Sequence, residues 1–214
     1  MKRVKWIGIL IVGICITLAG STFAASDSQS VYEDVIDKGW ISAAEFDALK
    51  PLSRAQAIKT ILRMADLTPI EGYLGEFSDT ANHPDREWIN QARQYGIVTS
   101  TGANRFWPDS PITKRDLVLW LDRVFNLLDT VNFYSEEVED TNRRSDPEAY
   151  YVINKYLDLG IVTLDGEQKF HPKENLTMGE FALIIDRLSG VGIRDLEPAR
   201  YEGQKAKRKI LDPR

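Results

Sequence analysis

Apolar residues recur at three- and four-residue steps in several separate stretches of this chain. Leu117, Trp120, Leu121, Val124, Phe125 and Leu128 form one such set. That spacing places them on one face of an α-helix. Phe181, Ile184, Ile185 and Leu188 repeat the arrangement, and Ala57, Ile58, Ile61, Leu62 and Ala65 repeat it with smaller side chains. Trp88, Ile89, Ala92 and Tyr95 line a face of a further helix. The segments after Gly96 and Gly160 could form short extended pieces, so strand content is expected to be little or none.

The helices belong to a repeated unit. Gly96 pairs with Gly160, Phe106 with Phe170, Pro108 with Pro172, Thr113 with Thr177 and Arg123 with Arg187, each pair 64 positions apart. A fainter copy lies upstream: Phe46, Pro51, Ser53 and Arg63 stand 60 positions before Phe106, Pro111, Thr113 and Arg123. The units run over about 31–68, 77–130 and 138–190. Each reads as helix, loop, helix, and a lone helix pair cannot bury both of its apolar faces. The expected fold is therefore all-α, with three helix-loop-helix repeats enclosing a shared core.

Every second helix opens on the same short phrase, "LSRAQA", "ITKRDL" or "LTMGEF". Ser53 with Gln56, Thr113 with Asp116 and Thr177 with Glu180 have the spacing of a capping box. The hydroxyl accepts from a first-turn N–H while the later side chain reaches back. This explains the first and last words of the phrase. The middle word, Arg54, Lys114 or Met178, needs another reason.

Composition changes the picture in three ways. Lys2, Arg3 and Lys5 precede the uncharged run Trp6–Gly20, and Thr22 and Ala24 follow at small-residue positions. This is the layout of a secretory signal peptide over residues 1–24, with cleavage after Ala24. The lone Cys15 lies inside it, so the exported protein carries no disulfide and relies on its core. From Ala25 to Gly190 there are 28 acidic and 17 basic residues, a net charge near −11, whereas 191–214 forms a charged tail with 7 basic and 4 acidic residues. An acidic body argues against a nucleic-acid partner. His83 and His171 have no second ligand at metal spacing, so no metal or cofactor is expected. Glu136 with Glu137 and Glu139 with Asp140 read as solvated charge, and no catalytic residues and no enzyme activity are expected.

The order "FSDT", Trp88, "YGIV", "FWPDSPITKRDL" and "LDR" resembles the S-layer homology repeat, a family usually met as three in tandem. Residues 138–190 resemble it clearly, and residues 31–68 as a degenerate copy. The resemblance implies a pseudo-threefold bundle. It also implies non-covalent attachment to an anionic secondary cell-wall polysaccharide or a peptidoglycan-linked glycan, and hence a secreted protein held at the cell envelope. The family's groove arginine falls on Arg54, on Lys114 and on Met178, so at most two grooves would carry a cation. Its aspartate falls on Asp79 and Asp140, its loop glycine on Gly96 and Gly160, and its first-helix aromatic on Trp88, with Tyr151 or Val152 in the third unit. Each has a plainer reading. The aspartates can cap helices, Trp88 can be core, and the glycines can end helices in the left-handed conformation. Arg54 and Lys114 sit in a first turn, where the helix dipole mildly disfavours a cation. The alternative function is an exported interaction or scaffold module whose partner is another envelope protein.

Overall fold

A computed structural model describes residues 25–69, 77–99, 103–125 and 138–191. The signal-peptide reading, Leu128, the Glu136–Glu137 pair and the tail from 192 lie outside the described residues. Among these residues six helices follow one another: α1 (Ala25–Asp37), α2 (Arg54–Met64), α3 (Arg86–Gln94), α4 (Lys114–Phe125), α5 (Pro147–Asp158) and α6 (Met178–Gly190). Among the described residues there is no sheet. Three isolated bridges, Pro51 with Thr177, Ser53 with Pro111 and Thr113 with Asn175, are the extended pairings present.

The helices that pack together come from different units. α2 lies on α3, α4 on α5, and α6 closes back onto α1. The long loop inside each unit carries its second helix away from its first, so each pairing joins one unit to the next. The three helix-loop-helix repeats thus enclose their shared core as a closed ring of exchanged partners. The ring buries the predicted faces. Leu117, Trp120, Leu121, Val124 and Phe125 are buried, as are Phe181, Ile185 and Leu188, and Ile58, Ile61 and Leu62. Each such side chain contributes roughly 1.5–3 kcal/mol.

A cycle of three backbone hydrogen bonds sits at the centre. The Leu52 N–H donates to the Leu176 carbonyl (2.8 Å), Leu176 N–H to Ile112 (3.1 Å), and Ile112 N–H to Leu52 (2.9 Å). These residues immediately precede Ser53, Thr113 and Thr177, and their side chains are buried. The pseudo-threefold axis is thus written in the backbone itself.

The repeated phrase does more than cap a helix. A helix start leaves four N–H groups without intrahelical partners. In α2 the first two, on Arg54 and Ala55, donate to the carbonyls of Ser110 and Pro108 in the second unit. In α4 those of Lys114 and Arg115 donate to Glu174 and Pro172 in the third. In α6 those of Met178 and Gly179 donate to Lys50 and Ala48 in the first. The third N–H goes to the capping hydroxyl: Gln56 to Ser53, Asp116 to Thr113 and Glu180 to Thr177, each at 3.2 Å. The reach-back completes the box in α2 and α6. In α4 the Asp116 carboxylate turns instead to arginines, as described below.

The first unit keeps the geometry that its sequence only hints at. Gly39, Gly96 and Gly160 end their helices at φ of 71°, 70° and 68°. Around each, the two residues that follow donate to one earlier carbonyl: Val35, Ala92 or Tyr156. Gly39 therefore aligns with Gly96, and the shorter first loop accounts for the changed spacing.

Candidate functional site

The three variable residues stand at three seams of the ring. Arg54 starts α2 where it meets the loop of the second unit. Its Nε donates to the Phe106 carbonyl (2.9 Å) and its Nη1 meets the Asp116 carboxylate at 2.5 Å. Its guanidinium lies 4.7 Å from the Trp120 ring centre and 5.1 Å from that of Phe106. Only 16% of the side chain is exposed. This cation is stacked, paired and hydrogen-bonded inside the protein. The sequence gives no reason to expect that; the resemblance sends Arg54 outward to a sugar acid.

The chain of charge continues. Arg115 bonds Asp116 through Nη1 (3.2 Å) and grips Asp146 through Nε and Nη2. Asp146 also caps α5 by accepting from Ala149 N–H. The hydrogen bond from Arg115 holds the Asp146 carboxyl below its usual pKa against partial burial. Arg54, Asp116, Arg115 and Asp146 thus tie the first, second and third units in sequence. Arg115, which neighbours Lys114 and could have stood in for it, is committed to this network.

Lys114 occupies the second seam in a different state. Its Nζ pairs with Glu174 at 2.9 Å, and the Glu174 side chain is 57% exposed. Beside it opens a cleft of about 180 Å³ lined by Lys114, Phe170, Glu180, Ile184 and Arg187 among others. Ile184 stands where the second unit has Trp120. No indole fills this groove, and the Lys114 side chain, itself 21% exposed, is paired with a carboxylate that faces solvent. At the third seam Met178 is buried. Next to it, a Cβ on Gly179 would lie 2.9 Å from the Ala48 carbonyl oxygen and from the Tyr32 hydroxyl. That seam is closed by direct packing and offers no cation.

Asp79 and Asp140 share one task. Asp79 accepts from the N–H groups of Phe106 (2.9 Å) and Trp107 (2.8 Å), and Asp140 from those of Phe170 (2.9 Å) and His171 (2.6 Å). Trp107 and His171 adopt φ of 54° and 59°, a left-handed conformation costly for side chains of their size. Each aspartate is a clamp on a strained loop, neither a helix cap nor a group facing the Lys114 cleft. Desolvation works to raise the Asp79 pKa, but the backbone donors of Phe106, Trp107 and Asp79 itself, together with the charge of Arg105, hold the carboxyl below its usual value. Gly96 and Gly160 are helix ends. Trp88 is half-buried against α2, with the Arg63 guanidinium 5.6 Å from its ring centre. The 64-residue offset aligns Trp88 with Val152, which is buried, while Tyr151 is exposed beneath Arg143.

The S-layer homology domain model matches residues 76–118 and 143–182. These spans contain both aspartate-clamped loops and the starts of α4 and α6. These two spans are S-layer homology repeats. Among relatives, an amylopullulanase of Thermoanaerobacterium thermosulfurigenes is 30% identical over 149 residues. That alignment covers 66% of this chain but 8% of the relative, so the chain spans a small fraction of that protein's length. S-layer homology domains typically anchor proteins to cell-wall polysaccharide.

Within this S-layer homology frame, the match leaves out the residues before 76. Structurally, that segment fills the third place in the ring, with the same glycine turn, the same capping box and Leu52 in the central cycle. It lacks the aspartate clamp. Its loop is held more locally, by Leu49 N–H donating to Asp47 (3.1 Å). The periodicity argument missed Asp116, Arg115 and Asp146 as a network. The signal for Asp146 was present, since Asp-Pro at a helix start is a capping residue before a first-turn proline. Nothing in the sequence joined it to Arg115 across the third unit.

Proposed function

We propose that this protein attaches non-covalently to anionic polysaccharide of the cell envelope, through the groove at Lys114. The supporting observation is the contrast in state between the two basic middle words. A pair whose carboxylate faces solvent contributes only ~0–1 kcal/mol, so an incoming sugar acid can replace Glu174 at small cost. Arg54 would have to leave Asp116 and two aromatic rings. In this reading Lys114 supplies the charge, and Phe170 and Ile184 supply apolar surface. Asp79, Asp140, Gly96 and Gly160 hold the loops that shape the grooves, and Arg54 secures the first seam. The role is binding rather than catalysis. The segment before residue 76 acts as a third, divergent repeat, and residues 1–24 direct export.

A second reading is favoured by the closed third seam and the occupied first one. With one open groove, the ring could serve chiefly as a scaffold for another envelope protein. Retention of the protein on isolated wall sacculi, before and after chemical removal of the secondary polymer, separates the two. The glycan reading expects retention that is lost on stripping. Retention that survives stripping, or none at all, would overturn it.

A further inference from the structure

The Lys114 groove has a titrating neighbour that the Arg54 seam lacks. Glu174, the partner of Lys114, is shared. One of its carboxylate oxygens lies 2.9 Å from Lys114 Nζ and the other 3.4 Å from His171 Nδ1. The far side of the ring meets Asp165, with Nε2 2.6 Å from that carboxylate. The backbone beneath the ring is fixed as well. Asp140 accepts from the His171 N–H at 2.6 Å and holds the left-handed turn at φ 59°, while the Glu174 N–H donates to the His171 carbonyl (3.0 Å). At the matching positions of the second unit stand Trp107 and Ser110, which carry no charge.

A neutral imidazole has one N–H donor and one bare nitrogen, so it serves one of these carboxylates while its lone pair faces the other. The imidazolium has a donor for each. Imidazole is the side chain whose charge ordinarily changes between roughly pH 5 and 8. Asp165 is ionised across that window, its carboxyl held at about 2 by the His171 hydrogen bond and by the N–H groups of Lys169 and Glu167. Glu174 is therefore the member whose pairing changes. With the ring protonated, Glu174 is shared by two cations, and the two carboxylates balance Lys114 and His171. With the ring neutral, Glu174 rests on Lys114 alone, and one negative charge beside the groove is uncompensated. The other charges around the ring are Asp140 beneath it, Lys169 paired with Glu167 at 2.6 Å, the exposed Lys173, and Glu180 and Arg187 on the α6 side of the cleft. None of them is an imidazole.

We infer that His171 is a positioning residue that makes the Lys114 groove stronger in acid: its protonation draws Glu174 off Lys114 and opens the lysine to an anionic ligand. This rests on the Lys114 reading for its ligand, but its first test needs none. In the full chain, the side-chain signals of Lys114 and the ring signals of His171 are followed by NMR from about pH 8 to about pH 5. Both move in one shared step. His171→Asn, which suits the left-handed backbone, removes the step at Lys114, and so does Glu174→Gln, which removes the shared carboxylate. Lys114 signals that ignore the His171 titration, or that step equally in either variant, would overturn the coupling. The second test is retention on isolated wall sacculi at low salt. Wild type is held about fivefold more tightly near pH 5.5 than near pH 8, His171→Asn loses that ratio, and Glu174→Gln gains about fivefold over wild type near pH 8. Wild-type retention equal at both pH values, or a ratio unchanged in His171→Asn, removes this inference and keeps the Lys114 groove. A shared NMR step with no retention at either pH removes the groove reading and leaves the coupling standing.

Discussion

The grooves at Arg54 and Lys114 start from the same motif and end in different states. Both cations open a helix, both sit at a seam, and both lie near a loop clamped by an aspartate. At the first seam an indole occupies the groove floor and an aspartate stands one turn away, so the arginine is drawn in and shared among three partners. At the second seam isoleucine replaces the indole and the carboxylate partner lies out on the loop. The lysine, 21% exposed against 16% for the arginine, is paired outward to a carboxylate that faces solvent. A repeat can therefore keep its architecture while one substitution on the facing helix decides whether a groove is structural or available.

The largest effect should come from emptying the first groove. Trp120→Ala is expected to cost about 3–5 kcal/mol, since a fully packed indole is lost beneath Arg54. Ile184→Ala, at the matching place in the second groove, should cost under about 2 kcal/mol because that side chain is only partly buried. Urea denaturation of both variants checks the contrast, and equal losses would break it.

Next in size, Arg54→Ala should lower stability by about 1–3 kcal/mol. It strips a charge-assisted partner from Asp116 and leaves the Phe106 carbonyl bare in a part-buried site. Gly179→Ala tests the third seam. Its Cβ would lie 2.9 Å from backbone, so about 1–3 kcal/mol of overpacking is expected. A thermal melt unmoved by Gly179→Ala would show that α6 and the first loop are not in the contact described.

These seams mark the limit of what the chain discloses before folding. Helix content, the buried faces, the three-unit count and the capping residues follow from periodicity and constant offsets, because they depend on neighbours three or four positions away. The placement of Asp79 did not follow. Its partners are 27 and 28 positions on, in a loop whose left-handed Trp107 has no sequence signature. The exchange of helices between units was equally hidden, since periodicity says which face is apolar and not which helix covers it. Lys114 and Arg54 looked alike for the same reason: their difference is set by Trp120 and Ile184, on another turn of another helix.

A smaller effect is expected from acid. Asp79 and Asp146 both have folded pKa values below the ordinary 3.8. For such groups the stabilisation is fully present above the unfolded pKa and is lost as pH falls through the folded one. Stability should hold to about pH 4 and decline below it. Asp79→Asn should be less stable at neutral pH and shallower in that decline. A midpoint that falls equally steeply with pH in wild type and Asp79→Asn would contradict the clamp. The exposed Asp165, held at about 2 by His171 and nearby N–H groups, titrates at the far end of the same range. The smallest change in stability belongs to Lys114→Ala, within about 1 kcal/mol, as for other exposed pairs.

That same variant gives the most direct test of the account. Calorimetric titration of purified anionic wall polysaccharide should show Lys114→Ala binding about tenfold more weakly than wild type. Arg54→Ala, measured at a temperature where it remains folded, should bind as wild type does. Undiminished binding by Lys114→Ala, or loss confined to folded Arg54→Ala, would contradict the claim that the second seam is the open one.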